Sequence, residues 1–97
     1  ELTAASIAGA IERYASAARE VYLCGGGVHN GYLTSRLASR LDGRKTASTA
    51  ALGVDPDWVE AFAFAWLARM AISGKPGNLP SVTGAAGRRV LGAIYPA

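Results

Sequence analysis

Apolar residues return along the first segment at Ile7, Ile11, Tyr14 and Ala18, with gaps of four, three and four. That spacing makes one stripe on a helix and predicts a helix over residues 2–18. Thr3 and Ser6 are the residue types that cap such a start. Val21-Tyr22-Leu23-Cys24 is apolar without alternation, which predicts a short strand buried on both faces of a parallel sheet. Gly25-Gly26-Gly27 interrupts the pattern. Leu33, Leu37 and Leu41 then recur every four residues, with Arg36 and Arg40 on another face, so residues 30–41 read as a helix ended by Asp42-Gly43. Residues 45–49 form a weaker strand candidate, because Ala and Ser do not favour strands. Asp55-Pro56-Asp57 is a helix start: Asp55 caps, Pro56 suits the first helical position and Asp57 suits the positive end of the dipole. That helix runs through Trp58, Phe62, Trp66 and Met70 to Ser73, where Gly74 and Pro76 stop it. Residues 73–88 read as loop, and Val90 to Tyr95 as a last strand.

Helices alternating with strands predict an α/β fold with a largely parallel sheet. The 97 residues allow one domain at most. So few short strands make a thin sheet, and the chain opens at Glu1 directly in a helical pattern without a methionine. Both features lead us to expect a piece of a longer protein whose upstream part supplies the remaining strands.

Composition narrows the function classes. Half the residues are apolar (51%) and 18% are charged, which suits a packed core and not a disordered tail. The net charge of +3 is scattered, and the short basic pairs Arg44-Lys45 and Arg88-Arg89 have no aromatic residues interleaved. They read as solvated surface, so no nucleic-acid partner is expected. Cys24 is the only cysteine, which rules out an internal disulfide and suits a reducing compartment. The longest apolar run, Trp58 to Ile72, contains Glu60 and Arg69 and is too short to span a bilayer. No signal-peptide pattern opens the sequence. A cytoplasmic protein without a membrane partner is the resulting expectation.

The glycine triplet concentrates the candidate chemistry. Consecutive glycines are costly in chain entropy, and they suit a place where backbone must approach something closely. At the end of a strand and the start of a helix, that something is a ligand, and free N–H groups with a positive dipole favour phosphate. The triplet lacks the Gly-Lys-Ser/Thr ending of a Walker A loop, and Val28-His29-Asn30 breaks the dinucleotide fingerprint. A tight strand-to-helix turn that binds nothing is the plain alternative. His29, the only histidine, has no ligand or base cluster near it in sequence and reads as a turn residue. Cys24 reads as a small buried apolar residue. Glu60 sits in a helix that is apolar nearly all round. There it is either a costly carboxylate with work to do, or a side chain facing water or an arginine such as Arg36. The Trp and Phe stripe of that helix reads as core, buried between layers or domains. Gly77-Asn78-Leu79-Pro80-Ser81-Val82-Thr83-Gly84-Ala85 mixes turn residues with apolar ones, and it either lines a site or packs on another domain.

Three segments, in this order, carry a resemblance over essentially the whole chain: Cys24-Gly25-Gly26-Gly27-Val28-His29-Asn30; Asp57-Trp58-Val59-Glu60-Ala61-Phe62-Ala63-Phe64-Ala65-Trp66-Leu67-Ala68; and residues 77–85. Together they resemble the C-terminal part of the anhydro-N-acetylmuramic acid kinase family, bacterial enzymes of peptidoglycan recycling. The resemblance implies the superfamily of sugar kinases, heat-shock chaperone ATPases and actin, in which two ribonuclease H-like domains close over ATP. It further implies that residues 21–41 form the adenosine motif of the nucleotide-binding lobe, with Gly25, Gly26, Gly27 and Asn30 against the nucleotide. Residues 55–73 would form a hinge-type helix in which Glu60 borders the sugar pocket, and residues 74–97 a closing loop and strand.

The reaction implied by the resemblance is double. Water opens the 1,6-anhydro bridge at the anomeric carbon, and the freed O6 takes the γ-phosphate of ATP, with Mg²⁺ present. The aspartate base and phosphate turns of the family lie upstream, and Asp42, Asp55 and Asp57 do not match that base. The fragment alone is therefore expected to be inactive, with no catalytic or metal-binding residue of its own. Two rivals stand beside this reading: a related kinase acting on another sugar, and a non-catalytic interaction module. In the second, the aromatic helix would be a contact surface, for instance in a homodimer.

Overall fold

The computed structural model describes residues 1–96. Ala97, the end of the expected closing segment 74–97, lies outside the described residues. The chain forms two compact units, Glu1–Val59 and Glu60–Ala97.

The first unit runs α1 (Leu2–Tyr14), β1 (Glu20–Leu23), a 3₁₀ turn (Gly26–His29), α2 (Gly31–Arg40), β2 (Lys45–Ser48), and two further 3₁₀ turns at Thr49–Leu52 and Pro56–Trp58. β1 and β2 pair in parallel, with Glu20 opposite Lys45 and Leu23 opposite Ser48. A parallel pair needs a crossover, and the glycine turn with α2 supplies it. Strand, turn, helix and strand thus take the order that the hydrophobic pattern predicts, in an α/β arrangement.

The core of this unit is Ala4, Leu37 and Leu41, with Ala8, Ile11, Val21, Leu23 and Leu33 packed around it. The leucine stripe of α2 faces inward as its spacing predicts. On α1 the inward face differs from the predicted one: Ala4, Ala8 and Ile11 face the core, whereas Tyr14 is 77% exposed. Small alanines let α1 lie close to α2, and this close packing selects the face.

α1 also ends at Tyr14, short of the predicted Ala18. The physical reason is Arg44, whose Nε and Nη2 donate to the carbonyls of Ala18 (2.9 Å) and Ser16 (3.0 Å). Its guanidinium also pairs with Glu12 at 2.7 Å. Those carbonyls are satisfied from outside the helix, so the chain turns there towards β1. Neither Thr3 nor Ser6 caps α1. Glu1 occupies that position without a side-chain cap, and its carboxylate instead takes hydrogen bonds from Arg36 (2.6 Å) and Arg40 (2.9 Å). Arg36 first and Arg40 second hold the Glu1 carboxyl down at about 2.

The second unit consists of α3 (Val59–Ile72, its first residue in the first unit), a one-turn helix α4 (Pro80–Thr83) and irregular segments. Gly74 stops α3 as predicted. At φ 61° it carries a Schellman cap, with Lys75 N–H on the Met70 carbonyl (2.9 Å) and Gly74 N–H on that of Ala71 (3.0 Å). Three expectations need correction. Residues 73–88 are not all loop, because Pro80 at a first helical position starts α4. Val90 to Tyr95 do not form a strand. Gly77 N–H donates to the Arg89 carbonyl (3.0 Å), and Asn78 holds the Gly87 carbonyl and the Arg89 N–H (2.7 Å), so side-chain bonds replace a ladder. None of α3 is buried: Phe62, Phe64 and Trp66 are 60%, 68% and 51% exposed. Within its own unit only one side is covered, by residues around Gly77 and Leu91.

Candidate functional site

The site begins where β1 ends. Gly25 has φ 74° and ψ 179°, a region that glycine alone occupies without strain. Gly26–His29 coil as a 3₁₀ turn, and Asn30 then starts α2 by accepting the Leu33 N–H on its Oδ1 at 3.0 Å. This is the helix start that the sequence predicts at Asn30. With Oδ1 engaged, the amide Nδ2 has no hydrogen-bond partner among the described residues.

Two observations show what the turn offers a ligand. A Cβ built on Gly26 would meet no atom within 4 Å, and one on Gly27 only Leu33 Cδ2 at 3.8 Å. The fold therefore leaves open space above Gly26, and only an ordinary side-chain contact above Gly27. The N–H groups of Gly26, Gly27, Gly31 and Tyr32 also make no hydrogen bond to the other described residues. Free backbone donors on a turn that leads into a helix N-terminus suit an anion. Beneath the turn lies a cleft of about 200 Å³, lined by Leu23, Cys24, Val28, Leu33 and Leu37 among others. A shallower depression of about 380 Å³ runs from Leu23 and Val28 to Thr46 and Ser48.

The second wall of the turn comes from a distant segment. Gly25 N–H donates to the Pro56 carbonyl at 2.8 Å. His29 Nε2 lies 2.8 Å and 3.0 Å from the two carboxylate oxygens of Asp57. Asp55 caps the Pro56–Trp58 turn as predicted, accepting the Asp57 N–H at 2.9 Å. His29 thus has a partner that its sequence neighbours do not reveal, 28 residues away. The one legible signal was the acidic, proline-containing helix start itself.

Gly25, Gly26, Gly27 and Asn30 are therefore brought together, and Glu60 is in the other unit. Glu60 is exposed and its carboxylate makes no ion pair or hydrogen bond with the other described residues, so the cost-of-burial argument does not apply to it. Arg36 is engaged with Glu1. Cys24 is exposed, against the expectation of a buried thiol, because β1 ends one residue earlier, at Leu23. Among the described residues no cluster of three or more His, Cys, Asp or Glu side chains is placed to hold a metal ion. No helix among them is long and apolar enough to cross a membrane.

Comparison with known proteins gives a consistent result. The family model described as anhydro-N-acetylmuramic acid kinase matches residues 1–97. The chain is 60% identical, over its whole length, to the anhydro-N-acetylmuramic acid kinase of Nitrosomonas europaea, of which it covers 27%. To the enzymes of that name from Nitrosospira multiformis and Xanthomonas campestris it is 62% and 58% identical, covering 26% of each. The chain thus spans about a quarter of the length of the curated relatives it matches.

Proposed function

We propose, from the premise that this chain belongs to the anhydro-N-acetylmuramic acid kinase family, that it forms the C-terminal portion of a ribonuclease H-like nucleotide-binding lobe in an ATP-dependent sugar kinase. β1, the glycine turn and α2 are the element that meets ATP. Gly25, Gly26, Gly27 and Asn30 contact the nucleotide, α3 is the hinge-type helix, and Glu60 in its first turn borders the sugar pocket. The reaction is the hydrolytic opening of 1,6-anhydro-N-acetylmuramic acid with phosphorylation at O6, as part of peptidoglycan recycling in the cytoplasm. The activating base and the Mg²⁺ ligands belong to the rest of the enzyme.

The observation that carries this reading is the open space over Gly26 and the uncrowded backbone at Gly27, together with the free N–H groups around them. Only Gly25 needs glycine for its backbone angle within the triplet. The other two are explained by close approach of a ligand to the backbone. Phosphoryl transfer depends on positioning and charge stabilisation more than on covalent chemistry. Fixed backbone donors at a helix N-terminus supply both without a charged side chain.

The test compares wild type with Gly26→Val in the full-length enzyme. Gly26 lies outside the left-handed region and has room for a side chain, so the variant keeps the fold. Wild type should phosphorylate the anhydro sugar, and the variant should lose ATP affinity by about tenfold or more, the effect of losing ~1.4 kcal/mol of contacts. ATP binding without turnover would retain the nucleotide site and reject the sugar. The absence of both would reject the kinase reading in favour of an interaction module.

A further inference from the structure

We propose that His29 and Asp57 form a positioning pair that holds the glycine turn in the shape the nucleotide meets. This rests on the nucleotide reading of the turn and adds two residues to it. Three successive glycines lose more conformational freedom on ordering than any other triplet. The turn's internal bonds are weak: Val28 N–H to the Gly25 carbonyl at 3.1 Å and Asn30 N–H to that of Gly27 at 3.2 Å, in 3₁₀ geometry. Its order must come from outside.

Two tethers supply that order, one at each end of Gly26–Val28. Gly25 N–H is held by the Pro56 carbonyl at 2.8 Å, and His29 Nε2 by both oxygens of Asp57 at 2.8 and 3.0 Å. Both anchors stand on one short turn, Pro56–Trp58. That turn is itself stiffened by the proline ring, by Asp55 capping the Asp57 N–H (2.9 Å), and by Trp58 N–H on the Asp55 carbonyl (3.0 Å). For the pair to bond, His29 must carry its proton on Nε2, as the imidazolium or as that neutral tautomer. His29 and Asp57 are 61% and 52% exposed, and an exposed pair contributes little to global stability. Its effect therefore falls on the local order of the turn, and so on ATP binding.

The experiment uses the full-length enzyme with His29→Gln, Asp57→Asn, the double variant and His29→Arg, all checked for fold by circular dichroism. The readouts are KM for ATP, kcat, and hydrogen exchange at residues 25–30 without nucleotide. Each single variant should raise KM for ATP by about three- to tenfold, the scale of one charge-assisted hydrogen bond, with kcat within about twofold. Exchange in the turn should speed up. The double variant should be no worse than either single one, since both break the same bond. His29→Arg, which keeps an N–H donor opposite the Asp57 carboxylate, should restore most of the affinity. Unchanged KM with only a lower melting temperature, or an additive double variant, would overturn the pair while leaving the nucleotide site standing. A wild type that neither binds ATP nor turns over would overturn both. If Asp57→Asn fails to fold, His29→Gln and His29→Arg decide by the same readouts.

Discussion

Gly25 holds the one backbone conformation in the turn, φ 74° with ψ 179°, that a side chain cannot adopt cheaply. Gly25→Ala should therefore destabilise the turn by about 1–3 kcal/mol, read as faster hydrogen exchange at the amides of Val28 and Asn30. Gly26→Ala should leave exchange in the ligand-free protein nearly unchanged. At the start of α1, Arg36 and Arg40 lower the Glu1 carboxyl to about 2 from its usual 4.5. A carboxyl lowered in the folded state contributes stability above its unfolded value, and that contribution is lost as pH falls. The difference between wild type and Glu1→Gln in denaturation midpoint should thus be full above about pH 4.5 and vanish towards pH 2. The Glu20 carboxyl, lowered first by the Tyr22 hydroxyl and then by Lys45, acts in the same direction. At this scale the glycines and the cap residues Asn30 and Asp55 were legible, because each role is set by its own backbone position. The His29 partner was not, because no local pattern connects residues 28 positions apart.

The elements follow the hydrophobic pattern where local signals are strong, and depart from it where a distant group intervenes. Asn30, Asp55 with Pro56, and Gly74 begin or end their helices as their chemistry predicts. β2 forms despite weak propensity because β1 offers it a partner in register. The end of α1 was not legible, since Arg44 terminates it from beyond α2. Arg44→Ala should cost about 1 kcal/mol, from the part-buried Ala18 carbonyl losing its donor and from the lost exposed ion pair with Glu12. Arg44→Lys should recover only part, because an ammonium cannot reproduce the guanidinium fork. Denaturant midpoints of the two variants check both statements. The last segment carries the strand-forming side chains Val90, Ile94 and Tyr95 but forms no strand. Asn78 and Gly77 instead take up the backbone groups at Gly87 and Arg89.

For the whole molecule, a quarter-length share of the relatives meets an apolar helix with no buried residue. Phe62, Phe64 and Trp66 of that helix are 60%, 68% and 51% exposed. The isolated 97 residues should show no sugar-dependent ADP release, measured against the full-length enzyme under the same conditions. Measurable release would place the base and phosphate turns inside this chain, against the proposal. The order of helices and strands from α1 to α3, the place of the glycine turn and the family were already written in the sequence. They depend on periodicity, caps and motifs that act over a few residues. Tertiary contact alone decided which face of α1 turns inward, where α1 stops, and that His29 meets Asp57. Those outcomes depend on distances between segments far apart along the chain, and only folding brings such segments within reach of each other.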